Sequence, residues 1–142
     1  MNLEKINYWE LNAKQKEVFN FHQVASFLVE YGFNCIKLAD DWQGADFLAY
    51  HFSGDETLKV QLKARMSIDK KYLDKDLYIT FPILKNWYLI RHDELINIVR
   101  NETNWLNTSS WMEKGIYNSA KPSQSVIKAL EKFKLEKRSY SL

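Results

Sequence analysis

Three polar side chains stand in two otherwise apolar segments: Asp46 in Gly44-Ala45-Asp46-Phe47-Leu48-Ala49-Tyr50, and Gln61 and Lys63 in Leu58-Lys59-Val60-Gln61-Leu62-Lys63-Ala64-Arg65. Both segments read as strands, and residues two apart on a strand share a face, so Gln61 and Lys63 point the same way. A carboxylate, an amide oxygen and an ammonium then converge. Hydrolysis of a phosphodiester at neutral pH calls for a divalent ion that acidifies water and offsets charge in the transition state. Such an ion takes hard oxygen ligands. Asp46 can supply one, Gln61 a second through its side-chain carbonyl, and the main-chain carbonyl of Leu62 a third. Lys63 is then suited to orient or deprotonate the nucleophile, or to stabilise developing negative charge. The plainer reading is that Asp46 caps a loop or pairs with Lys63.

Elements that could position these groups are legible on either side. From Asn12 to Tyr31, the apolar residues Val18, Phe21, Val24, Ala25, Leu28 and Tyr31 recur at spacings of three and four, which predicts an amphipathic helix. Asn12 suits its N-cap and Gly32 its left-handed terminator. Strands are predicted at Phe33 to Leu38, Asp46 to Phe52 and Thr57 to Arg65, with Asp40 to Gly44 and Ser53 to Glu56 as turns. Met66 to Lys75 reads as a loop or short irregular helix. Further strands are expected at Leu77 to Phe81 and Trp87 to Ile90, with Pro82 and Lys85-Asn86 in the turn between them. A helix should start at His92-Asp93, Asn101 to Glu113 reads as loop, and Gly115 to Asn118 suits an edge strand. A last helix follows Pro122-Ser123, and the basic tail after Lys134 is expected to fray.

The arrangement resembles the PD-(D/E)xK nuclease superfamily, whose core is a helix, a three-stranded meander, a second helix and a further strand. The resemblance runs from the helix ending at Gly32 through Arg65, with Ala45-Asp46 in place of proline-aspartate and Gln61-Leu62-Lys63 in place of acid-x-lysine. Glutamine at this position is similar to the Mrr-like restriction enzymes. The part from Leu77 to Leu135 looks like that of a group of small prokaryotic and phage proteins with this core. The resemblance implies an α+β, restriction-endonuclease-like fold: a mixed sheet with an N-terminal helix, a central meander and flanking C-terminal helices. It also implies Mg²⁺ or Mn²⁺ as cofactor, DNA as partner, and Asp46, Gln61 and Lys63 as catalytic residues, with Asp46, Gln61 and Leu62 on the metal. A further acid on the first helix is common in the family, and Glu17 is the nearest by type. Phe21 stands nearer the expected position, with His22 and Gln23 as polar neighbours. A homodimer would suit cleavage of both strands of a duplex. The alternative is a catalytically inactive nuclease-like fold that binds nucleic acid or protein in a defence, counter-defence or mobile-element system; a neutral amide at position 61 favours it.

Composition sets the outer bounds. With 142 residues, 46% hydrophobic, 15% aromatic and 27% charged, residues 1–142 suit one globular domain rather than a disordered chain. No stretch suits a signal peptide or a membrane span, so a cytoplasmic protein without membrane association is expected. A net charge of +2 gives no general grip on nucleic acid, so any such grip is local. Lys59, Lys63, Arg65, Lys70, Lys71 and Lys75 form a candidate basic patch, unless Asp69, Asp74 and Asp76 neutralise it as a solvated face. His22, His51 and His92 are too scattered for a zinc site, and Cys35 reads as a buried structural thiol. Trp42 could stack on a base, while Trp87, Trp105 and Trp111 suit the core.

Overall fold

The computed structural model describes residues 1–139; the last residues of the basic tail lie outside the described part. Helix α1 (Ala13–Leu28) begins with a reciprocal capping box in which the Asn12 side chain accepts from the Gln15 N–H and the Gln15 side chain accepts from the Asn12 N–H. A 3₁₀ turn, Val29–Tyr31, extends it to Gly32, whose φ of 88° ends the helix in the left-handed region. Phe21, Val24 and Leu28 are buried, whereas Val18 and Tyr31 at the margins of the predicted stripe are exposed.

Strands β1 (Phe33–Trp42), β2 (Ala45–His51), β3 (Thr57–Leu62), β5 (Tyr78–Ile83) and β6 (Asn86–Arg91) form one mixed sheet in the order β1-β2-β3-β5-β6. All neighbours are antiparallel except β3 and β5, which run parallel. A parallel pair needs a crossover. Here it is made by β4 (Met66–Asp69) and a 3₁₀ turn, Lys70–Tyr72, rather than by the second helix that the family resemblance implies. All four residues of β4 are buried, and it pairs with β7 (Ile116–Ser119) in a separate two-stranded sheet. Helix α2 (His92–Glu102) and helix α3 (Gln124–Ala129), capped by Ser123, complete the α+β fold.

The sheet separates two cores. Phe21, Val24 and Leu28 of α1 pack on Phe47, Ala49, Leu58, Val60 and Trp87, while Ile79, Phe81, Tyr88 and Ile90 pack with α2, α3, Met66, Ile68, Trp105 and Trp111. Alternation along β6, with Trp87 and Leu89 in one cluster and Tyr88 and Ile90 in the other, is the mark of a strand covered on both faces.

Several boundaries differ from the sequence expectation. β1 runs on through Asp40-Asp41 to Trp42, so the turn is only Gln43-Gly44, both with positive φ (53° and 86°) as a tight hairpin requires. β5 passes through Pro82, which is tolerated because pairing with β3 stops at Leu62–Thr80, so no ladder bond there calls for the N–H that proline lacks. The Asn101 to Glu113 segment holds a 3₁₀ turn (Trp105–Asn107) and a π-helical turn (Ser110–Lys114). The described tail is tied down: Leu135 is buried, its N–H donates to the Trp87 carbonyl (2.8 Å), the Glu136 N–H donates to Tyr31 Oη (2.9 Å), and Arg138 pairs with Glu30. Cys35 is half-buried rather than fully buried, and desolvation pushes its thiol up to about 11. Among the described residues, no helix is long and apolar enough to cross a membrane.

Candidate active site

Asp46 sits where regular pairing fails on both sides of β2. Toward β1 the register runs from Lys37–Phe47 directly to Trp42–Ala45, so four residues of β1, Leu38 to Asp41, stand against Asp46 alone. Bulges of this kind re-aim side chains and recur beside active sites. Toward β3 the ladder ends at Phe47–Val60, and the Leu62 N–H donates instead to Asp46 Oδ2 at 2.8 Å. One carboxylate oxygen is thus anchored; among the described residues Oδ1 has no hydrogen-bond partner.

A cleft of about 370 Å³ opens at this ladder end, lined by Asp46, Gln61, Leu62 and Ala64 from the strands and by Ala13, Lys16, Glu17 and Asn20 from α1, with Tyr8 alongside. Gln61 is 7% exposed and its Oε1 is buried without a hydrogen-bond partner. An unpaired buried acceptor costs about 1–3 kcal/mol, so it calls for an explanation. Asp46 adds to the strain. Its carboxyl is raised above the usual range, first by burial and then by the negative charges of Glu17 and Asp41, against the opposing Leu62 N–H and Lys63. Asp46 and Gln61 thus bring two residues with hard oxygen donors to the lining of one cleft.

Of the residues singled out in the sequence, Asp46, Gln61, Leu62 and Glu17 are brought to one cleft. Glu17 reaches it although it lies a helical turn further from Gly32 than expected. It is held by Lys37 at 3.1 Å and Lys14 at 3.8 Å. The contact that Leu62 makes is through its N–H. Lys63 is not among the lining residues: β3 ends at Leu62, the Lys63 N–H donates to the Thr80 carbonyl (2.9 Å), and its ammonium lies 5.6 Å from the centre of the Tyr72 ring. Its charge still acts on Asp46, but it makes no ion pair with it among the described residues. Lys16 and Asn20 line the cleft without having stood out in the sequence. Their signal was present, since both share a face of α1 with Glu17 and Ala13 at helical spacing.

For a divalent cation, the donor set of Asp46 and the Gln61 amide oxygen fits the preference of Mg²⁺ and Mn²⁺ for oxygen, and Glu17 lines the same cleft. Among the described residues, no group of three or more His, Cys, Asp or Glu converges to hold a metal. Comparison with protein-family models, curated proteins and solved structures finds no match to this chain.

Proposed function

We propose that this protein is a Mg²⁺- or Mn²⁺-dependent endonuclease that hydrolyses phosphodiester bonds in DNA, with the cleft beneath α1 as its active site. The observation that carries this reading is the buried, unpartnered Gln61 Oε1 beside a desolvated Asp46 carboxylate. Asp46, the Gln61 amide oxygen and the Leu62 main-chain oxygen would hold the ion, with Glu17 as a further carboxylate. When bound, the ion offsets charge on the scissile phosphate and acidifies attacking water. The Leu62 N–H fixes Asp46 so that one oxygen faces the cleft. Lys63 supplies positive charge beside Asp46, suited to stabilising charge that develops on the phosphate. Lys16, on the cleft wall, can meet a phosphate oxygen. A helix followed by a three-stranded meander and a parallel return strand supports placing the chain with restriction-endonuclease-like nucleases, with a strand and a 3₁₀ turn in place of the crossover helix.

The sparse carboxylates favour a second reading, a silent nuclease-like fold that binds nucleic acid or protein. Incubation with plasmid, linear and branched DNA and Mg²⁺ or Mn²⁺ separates the two. Cleavage that Asp46→Ala and Lys63→Ala each reduce at least about a hundredfold is expected. No cleavage by the wild type, or full activity in both variants, contradicts the endonuclease reading.

A further inference from the structure

The predicted basic patch divides in the folded chain. Arg65 turns to Asn118 (3.3 Å), and Lys70 lies over the Trp111 ring (5.5 Å). Lys59, Lys71 and Lys75 instead line a separate pocket of about 560 Å³ with Gln43, Gly44, Asp41 and Tyr72. Three lysines and one aspartate line it, and an Asp41 oxygen already accepts the Gly44 N–H at 2.9 Å. Lys59 is held in place, its ammonium donating to Gln43 Oε1 and to the Lys75 carbonyl, both at 3.2 Å. Neither Lys59 nor Lys75 makes an ion pair among the described residues, and Lys71 has only Asp69 at 3.8 Å.

Of the acids expected to neutralise this patch, Asp69 keeps its pairing with Lys71, whereas Asp74 and Asp76 do not line the pocket. Asp74 and Asp76, on either side of Lys75, both adopt left-handed backbone (φ 56° and 51°), a region that Asp tolerates better than most residues other than glycine. Asp76 pairs with Arg91 at 3.0 Å, and neither acid lines the pocket. The loop therefore presents Lys75 to the pocket and keeps its flanking carboxylates out. Lysines that outnumber the carboxylates beside them are relieved by an anion.

The pocket and the cleft share no lining residue, but they draw on the same two segments of the chain: Gly44 and Lys59 line the one, Asp46 and Gln61 the other. Tyr72 lines the pocket, carries Lys71 at 5.2 Å and Lys63 at 5.6 Å from its ring centre, and lies close enough to Asp46 to feel its charge. The half-exposed Trp42 precedes Gln43, which lines the pocket, at the hairpin tip. We infer that Lys59, Lys71 and Lys75 form a phosphate-binding pocket that grips the backbone of a nucleic-acid strand next to the Asp46–Gln61 cleft. The inference rests on the nucleic-acid reading above and adds a positioning site that hydrolysis itself does not require. Trp42 is placed to stack on a base of the same strand.

The test is fluorescence anisotropy of a labelled single-stranded oligodeoxynucleotide, in EDTA, over a series of salt concentrations. All variants carry Asp46→Asn, so that failure of cleavage and failure of binding are read apart. Replacing Lys59 and Lys75 together by Gln should weaken binding roughly tenfold at low salt and lower the log–log salt slope by about 1.4, the value for two lost phosphate contacts on a single strand. Replacing both by Arg should restore the slope, which separates charge from folding, and Trp42→Ala should weaken binding about tenfold. An unchanged slope in the Gln variant, or an equal fall from Lys121→Gln far from the pocket, overturns the inference. So does displacement of the strand by inorganic phosphate at constant ionic strength, which would assign the pocket to a small anion.

Discussion

Gln61→Met distinguishes an acceptor kept for a ligand from one that serves the fold. Methionine keeps the unbranched shape of glutamine at a similar size, so it fills the same space with little repacking. Gln61 is 7% exposed and its Oε1 lacks a partner, so the wild type bears the desolvation of that oxygen, about 1–3 kcal/mol. Removing the oxygen should stabilise the metal-free protein by about 1–2 kcal/mol. For 142 residues the unfolding entropy is about 0.3 kcal/mol/K, which converts this gain to roughly 3–7 °C in Tm. Differential scanning fluorimetry and urea melts in EDTA measure it. With Mn²⁺ at a hundred times its Kd, the wild type should gain about 2.7 kcal/mol by linkage and overtake the variant, which has lost a ligand. Gln61→Met that is no more stable than wild type in EDTA would falsify the claim that Oε1 is unsatisfied. The same order of stabilities with and without Mn²⁺ would remove the claim that it serves a cation.

Three further outcomes follow from the fold. His92 is fully buried and receives the Asp69 N–H on Nε2 (3.1 Å), and burial lowers its pKa from 6.5 to about 4. The unfolded state then binds the extra proton first, so stability falls as pH drops from about 6.5 to 4, by about 3 kcal/mol in all. His92→Gln should flatten that part of the pH profile of urea midpoints, and a wild-type profile level between pH 7 and 4 would contradict the burial argument. Gly32→Ala should cost roughly 1–3 kcal/mol in urea melts, because φ is 88° and a Cβ would lie 2.6 Å from His51 Nε2 and 2.9 Å from the Phe52 ring; a neutral result would mean the chain bends differently there. Leu135→Ala should cost about 2 kcal/mol if the tail is packed on Trp87 as described, and less than 0.5 kcal/mol if it frays.

Features set by local chemistry were legible in the sequence. The Asn12 cap, the α1 stripe, the Gly32 stop and the three-strand meander all follow from residues close in the chain. β4 was not legible, because Ser67 and Asp69 break an apolar run of only four residues, its strand partner β7 lies some fifty residues later, and its burial comes from the distant residues of the core around α2. The tail likewise reads as polar, since the Leu135 contact with Trp87 is long-range. Convergence of Asp46 and Gln61 could be expected from strand order. The bulge opposite Asp46 could not, because it depends on β1 running four residues further than its apolar pattern suggests. Period-2 alternation carried Lys63 into the cleft with Gln61. The ammonium lies 5.6 Å from the centre of the Tyr72 ring, and Lys63 is not among the residues that line the cleft.

Calorimetric titration of Mn²⁺ into the wild type, Asp46→Asn and Gln61→Met is the most direct test of a cation site in this cleft. Asparagine can still accept the Leu62 N–H, so the fold is kept while the anionic ligand is lost. Saturable binding near one ion per chain, weakened at least about tenfold by Asp46→Asn and by Gln61→Met, is the predicted result. Equal binding by all three proteins, or none by the wild type, would contradict the account.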